Sequence, residues 1–123
     1  GVNAARRIAN NSTFATIVNS SVFIGTESRP LADNQTNQIA IGNGAIGAGS
    51  NTATLGNTAI TNTILRGVVN ASKSFTVANL PAAVLGDAAI VTDAVSPTYL
   101  GALTGGGSVI CPCWYNGTAW LSR

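Results

Sequence analysis

The sequence predicts an all-β chain, a short β-solenoid of 14-residue coils followed by a small antiparallel β cap. Three observations predict it. Asn37 to Ile46 realigns with Asn51 to Ile60 after a shift of 14 residues, with Asn, Gly, Asn, Ala and Ile recurring identically. Near the C terminus, Asn116-Gly117 separates two strand-like runs, the strongest short-range hairpin signal. No helical period is sustained across the repeat.

Taken in chain order, residues 1–11 form a lead-in in which Val2 to Asn10 fits either a short helix or a frayed end. Residues 12–67 carry the repeat. Gly42 and Gly56 close equivalent stretches and Gly49 lies midway, so each half-coil is four or five extended residues ended by a glycine that turns the backbone. A looser copy, Ser20 to Gly25, precedes them by 17 residues, the extra length falling around Glu27 to Asp33, and Asn62 to Gly67 reads as a fourth. The expected turn residues are therefore Gly25, Gly42, Gly49, Gly56 and Gly67.

A coil of this length has a perimeter of about 46 Å at ~3.3 Å per residue, enough to enclose one column of Ile, Leu, Val and Ala side chains. Stacked Asn residues are placed to form side-chain ladders between coils. Three coils span only ~15 Å at ~4.8 Å each, so one copy leaves apolar surface exposed and self-association is expected.

Residues 68–80 read as a connector and 81–123 as the cap. Ala88 to Thr92 supplies a strand, Gly105 to Gly107 a flexible link, and Val109 to Leu121 the hairpin. A two-residue turn at Asn116 and Gly117 pairs Tyr115 with Thr118, Trp114 with Ala119 and Cys113 with Trp120. Of the resulting faces, that of Ile110, Pro112, Trp114, Ala119 and Leu121 is the better candidate core. Pro112 donates no backbone hydrogen bond, so its strand is expected at an edge or at a bulge.

Composition narrows the chemistry. Charged residues are 8% of the chain and the net charge is +2, with no stripe able to track a phosphate backbone, so nucleic acid is not an expected partner. No apolar run approaches the ~20 residues of a membrane-spanning helix. Histidine is absent, which removes Ser-His-Asp and Cys-His catalysis and the usual imidazole metal ligand. Loop and turn roles account for Glu27, Asp33, Asp87 and Asp93. Cys111 and Cys113 share one strand face, where a disulfide between them is strained; small buried side chains are the expected role. We expect no catalytic residue, no metal and no cofactor. The clustered aromatics Trp114, Tyr115 and Trp120 either close the cap's core or stack on a sugar ring or protein partner. Lacking an initiator Met, the sequence is expected to be a piece of a longer protein.

The run from Asn37 to Thr58 resembles repeats of phage tail-fibre proteins and the head repeats of trimeric autotransporter adhesins. The segments Phe75 to Pro81, Gly86 to Ala94, Gly105 to Val109 and Tyr115 to Trp120 resemble an element at the ends of phage tail fibres and tailspikes. The resemblance covers residues 19–123 and implies a left-handed parallel β-roll packed side by side with two other copies. It further implies a homotrimeric, non-catalytic host-attachment segment of the virion. Its implied partners are a host-surface glycan or protein receptor and other tail-fibre or baseplate proteins. A bacterial adhesin head shares the repeat, but no coiled-coil heptads follow Gly67. The receptor-binding end of a polysaccharide depolymerase is a further alternative.

Overall fold

A computed structural model describes residues 1–70 and 73–123. The chain forms two compact units, Gly1–Ile64 and Leu65–Arg123. Among the described residues the regular structure is β throughout, in small sheets of mixed pairing with no closed barrel, apart from a 3₁₀ turn at Val77–Asn79.

The first unit is a parallel stack. Strands β1 (Val18–Asn19) and β3 (Gln35–Thr36) pair, as do β2 (Val22–Ile24), β4 (Gln38–Ile41) and β5 (Thr52–Leu55) in the order β2-β4-β5. The register places Val22 beside Ile39 and Ile39 beside Ala53, offsets of 17 and 14 residues, as the repeat predicts. The longer first offset is taken up before Asp33, whose carboxylate accepts the Thr16 hydroxyl and the backbone N–H groups of Thr16 (2.9 Å) and Ile17 (2.7 Å). Ser20, Asn37 and Asn51 occupy the same corner with φ of 45°, 55° and 63°, a region that Asn tolerates better than most residues. Asn37 Nδ2 donates to Asn51 Oδ1 at 2.9 Å, a rung of the expected ladder.

The stacking spacing requires glycine at the other corner. Gly25 and Gly42 have φ of +120° and +134°, and a Cβ on Gly25 would lie 2.5 Å from the Gly42 carbonyl oxygen. Gly56 (φ +88°) continues this column and Gly49 (φ +110°) turns the return side. The final expected copy departs from the pattern. Gly67 has a positive φ, but Asn62 to Gly67 belongs to no strand and is exposed. Ile60, one coil after Ile46, is followed by two residues up to Asn62, where Ile46 is followed by five up to Asn51. The return side is too short to close a coil.

The expected interior is reversed. Ala40, Ala45, Ser28, Pro30 and Gln38 are buried, whereas Val22, Ile24, Ile39, Ile41 and Leu55 point outward. Alternation sets Phe23, Ala40 and Thr54 side by side on the inner face, Phe23 and Thr54 only partly buried, and puts the aliphatic residues of these strands on the outer face. The lead-in is neither helix nor frayed end. It is a series of turns, with Asn3 and Ala5 at positive φ, tied by Glu27 N–H to the Val2 carbonyl (2.9 Å) and Ala5 N–H to the Ser28 carbonyl (2.7 Å).

The second unit is an antiparallel sheet in the order β6 (Ala88–Ala94), β7 (Val109–Tyr115), β8 (Trp120–Ser122). The connector expected over 68–80 includes Ala71 and Ser72, which lie outside the described residues. Its later part joins this unit, since Phe75 bridges to Val91 and the 3₁₀ turn packs Val77 against the core. That core is Val91, Ala94, Cys111 and Cys113, flanked by Leu80, Ala89, Leu103 and Trp120.

Three expectations for the hairpin are corrected. Its connection is Asn116 to Ala119 rather than two residues, because Asn116 Oδ1 accepts the N–H groups of Thr118 (2.9 Å) and Ala119 (2.8 Å) while Asn116 N–H donates to the Ala119 carbonyl (3.1 Å). Tyr115 therefore pairs with Trp120, Trp114 with Leu121 and Cys113 with Ser122. A shift of two residues preserves the faces, but the core face is that of Cys111 and Cys113, while Ile110 and Pro112 are exposed. The small thiols let β6 and its flanking turns approach closely. Lastly, β7 is the central strand despite Pro112. The backbone of Pro112 faces the residue after β8, and its carbonyl still accepts Arg123 N–H at 2.9 Å, so the missing donor falls at the last rung of the ladder.

Candidate functional site

The three aromatic residues singled out from sequence divide between the two faces of the terminal sheet. Alternation along β7 sends Tyr115 to the side of Cys111 and Cys113 and sends Trp114 to the opposite side. Cross-strand pairing sets Tyr115 and Trp120 edge to face, with ring centroids 5.6 Å apart at 63°, a favourable quadrupole arrangement. Trp120 also donates from Nε1 to the Pro81 carbonyl at 3.3 Å and packs against the core. Both rings are half-buried, and Trp120 in particular fastens the segment around Pro81 to the sheet.

Trp114 instead lines an open depression of about 350 Å³ together with Gly86, Tyr99, Leu100 and Arg123. Tyr99 is 80% exposed. The chain reaches this place through a tight turn in which Gly101 N–H donates to the Thr98 carbonyl at 2.8 Å, while Leu100, at φ +57°, donates its N–H to the Ser122 carbonyl at 3.0 Å. An indole, a phenol and a guanidinium therefore border one depression, a combination able to stack on an apolar ring face and to bind an oxygen-rich or anionic group. Sequence reasoning placed neither Tyr99 nor Arg123 here. Both lie outside the hairpin, and only the fold of the Ser96 to Gly101 turn and the end of β8 brings them to Trp114.

The remaining chemically capable groups have structural partners. Glu27 accepts Asn3 Nδ2 at 2.6 Å, and Asp87 accepts Val84 N–H at 3.0 Å in the turn before β6. Asp93 accepts Val77 N–H at 2.7 Å and Gly106 N–H at 3.3 Å, joining the 3₁₀ turn to the glycine link at the irregularity of β6. Hydrogen bonds, first from the Thr16 hydroxyl and then from the Ile17 N–H, hold the Asp33 carboxyl below the usual carboxylate range. The thiols of Cys111 and Cys113 are free and buried, with Cys113 Sγ 3.4 Å from the Ala89 carbonyl oxygen. Burial, and secondarily the neighbouring Cys111, pushes the Cys113 thiol pKa up. Among the described residues no group of three or more His, Cys, Asp or Glu side chains is placed to hold a metal ion.

No family model matches this chain, and neither a curated protein nor a solved structure matches it.

A second surface stands out in the first unit. Val22, Ile24, Ile39, Ile41 and Leu55 form two adjacent columns on the outer face of the β2-β4-β5 sheet, and Leu55 is 55% exposed. Among the described residues no helix is long and apolar enough to cross a membrane.

Proposed function

We propose that this chain is a non-catalytic segment of a homotrimeric phage tail fibre or tailspike, which helps to build the fibre and presents a host-recognition surface. The observation that carries the reading is the outward apolar face of Val22, Ile24, Ile39, Ile41 and Leu55 on a parallel stack whose fully buried residues include Ser28, Pro30, Gln38, Ala40 and Ala45. A stack of parallel coils with its large aliphatic side chains outside is short of a partner surface. Three copies of a β-roll packed around an axis cover such a face symmetrically, as the resemblance of residues 37–58 to trimeric fibre repeats implies.

Recognition is assigned to the second unit, at the depression bordered by Trp114, Tyr99 and Arg123, with a host-surface glycan or protein as ligand. The engagement of Glu27, Asp33, Asp87 and Asp93 in turn and bracing hydrogen bonds supports a scaffold rather than a catalyst. Sedimentation equilibrium of the purified chain tests the assembly. A species of three times the 12.3 kDa chain mass is expected, and Ile39→Asp, which places charges on the covered face, is expected to yield smaller species. A folded wild-type monomer at micromolar concentration sinks the proposal.

A further inference from the structure

The sequence contains four copies of one six-residue unit, of which the fold uses three. Ser20–Gly25, Asn37–Gly42 and Asn51–Gly56 each run from a polar corner residue at positive φ to a glycine at positive φ, and they supply β2, β4 and β5. Asn62-Thr63-Ile64-Leu65-Arg66-Gly67 shares Asn, Thr and the closing Gly with Asn51-Thr52-Ala53-Thr54-Leu55-Gly56, with Arg66 where the other copies have an aliphatic residue, and Gly67 already has a φ of +102°. Yet the segment forms no strand, and its backbone makes no protein hydrogen bond among the described residues. Ile64 and Leu65 are 69% and 59% exposed.

Spacing explains why the unit goes unused within its own chain. The successive copies begin 17, 14 and 11 residues apart, and the shortfall lies wholly on the return side of the coil. Five residues lead from Ile46 to Asn51, a reach of about 17 Å, whereas two lead from Ile60 to Asn62, about 7 Å. The fourth copy cannot come back to the corner from which its predecessors start.

The surface it matches is vacant. β5 pairs only with β4, so its other edge is open, and it carries no charge or proline of the kind that blunts exposed edges. Thr54, Leu55 and Gly56 at the end of β5 also line a depression of about 250 Å³ together with Gly44 and Ile46 of the preceding coil. The Asn ladder is also unfinished. Asn37 Nδ2 donates to Asn51 Oδ1, and Asn51 Nδ2 has no acceptor among the described residues.

We infer that Asn62–Gly67 of one copy adds as a parallel strand to the β5 edge of a neighbouring copy, so that the subunits of the assembly are joined by strand exchange. The register is fixed by the shared unit: Asn62 sits beside the neighbour's Asn51 and continues its ladder, Ile64 beside Ala53 on the outer face, Leu65 beside Thr54 on the inner face, Arg66 beside Leu55 at the end of the outer face, and Gly67 beside Gly56. Backbone pairing at a sheet edge supplies the attachment and the alternating side chains supply the register. A second copy is the occupant because the added strand carries the repeat's own sequence. The inference rests on the trimer reading.

Paired cysteines test it. Ala53→Cys and Ile64→Cys are placed on separate, differently tagged chains, which are unfolded together, refolded and oxidised; both positions are exposed in the single chain, so both variants are expected to fold. A disulfide between residues 53 and 64 can then form only between chains. The expected result is a band at twice the 12.3 kDa chain mass under non-reducing conditions that collapses on reduction and maps to that pair, absent from wild-type protein. In addition, Ile64→Pro is expected to keep the wild-type fold while raising hydrogen exchange at the β5 amides that face away from β4. A trimer that gives no 53–64 link between chains, or gives it only when both cysteines share one chain, overturns strand exchange and leaves the trimer standing. A wild-type monomer overturns both.

Discussion

Replacing Gly25 by alanine isolates what the close stacking of the coils contributes. Two effects act at this position. Its φ of +120° is a conformation that an L side chain adopts at a cost of about 1–3 kcal/mol, offset by about 0.4–1 kcal/mol from the stiffer unfolded chain. The added Cβ would also lie 2.5 Å from the Gly42 oxygen and 2.6 Å from its carbonyl carbon, both backbone atoms, so the neighbouring coil must move. That movement strains the hydrogen bonds from Gly42 N–H to the Ile24 carbonyl (2.7 Å) and from Gly44 N–H to the Thr26 carbonyl (2.8 Å), at about 1 kcal/mol each. The expected loss is about 3 kcal/mol. Gly49→Ala is the control in the same unit, because its φ is +110° but a Cβ there meets only the Gln35 Nε2 at 3.7 Å, an ordinary contact. It should cost about 1 kcal/mol. Urea unfolding of the two variants at one protein concentration, followed by far-ultraviolet circular dichroism, measures the difference. Equal losses would refute the view that coil stacking, rather than backbone conformation alone, requires glycine at Gly25.

Two further outcomes are expected. Because the Asp33 pKa is lowered on folding, its contribution to stability is present above the unfolded carboxylate pKa of about 3.9 and is lost as pH falls through the lower folded value. Asp33→Asn should therefore flatten the acid limb of a stability–pH curve below about pH 4, and an unchanged limb would remove Asp33 as its source. Burial and a raised pKa keep the Cys113 thiol protonated and inaccessible, so iodoacetamide at pH 8 should label it at least about tenfold more slowly in the folded protein than in urea. Equal labelling rates, read by mass spectrometry, would show that the core of the second unit opens freely.

The legible parts of this protein were those written as spacing. The offsets of 17 and 14 residues fixed which residues pair in β2, β4 and β5, because parallel coils repeat at the length of their own perimeter. The corner glycines and the Asn37–Asn51 contact followed from the same period. β6 was legible between its turn signals, and the faces of β7 were legible from alternation. Harder to read was the direction of each face. Alternation separates Ile39 and Ile41 from Gln38 and Ala40 but does not say which pair is enclosed. Hydrophobicity alone chooses the wrong pair here, since Gln38 and Ala40 are enclosed while Ile39 and Ile41 face outward. The hairpin register depended on a side chain, since the Asn116 carboxamide captured two backbone donors and lengthened the turn by two residues.

The candidate recognition site divides in the same way. Its Trp114 was visible as a member of an aromatic cluster, but the cluster itself was an accident of sequence proximity, since adjacent strand residues point to opposite faces. Sequence by itself determined the all-β class, the repeat and its pairing, because periodicity and turn chemistry are local properties of the chain. Only the tertiary structure decided that the large aliphatic side chains face outward, that Trp120 packs against the thiol core with Tyr115 edge to face beside it, and that Trp114 borders one depression with Tyr99 and Arg123. Each of those outcomes depends on how much space remains once the backbone has closed, and that is a property of the assembled fold.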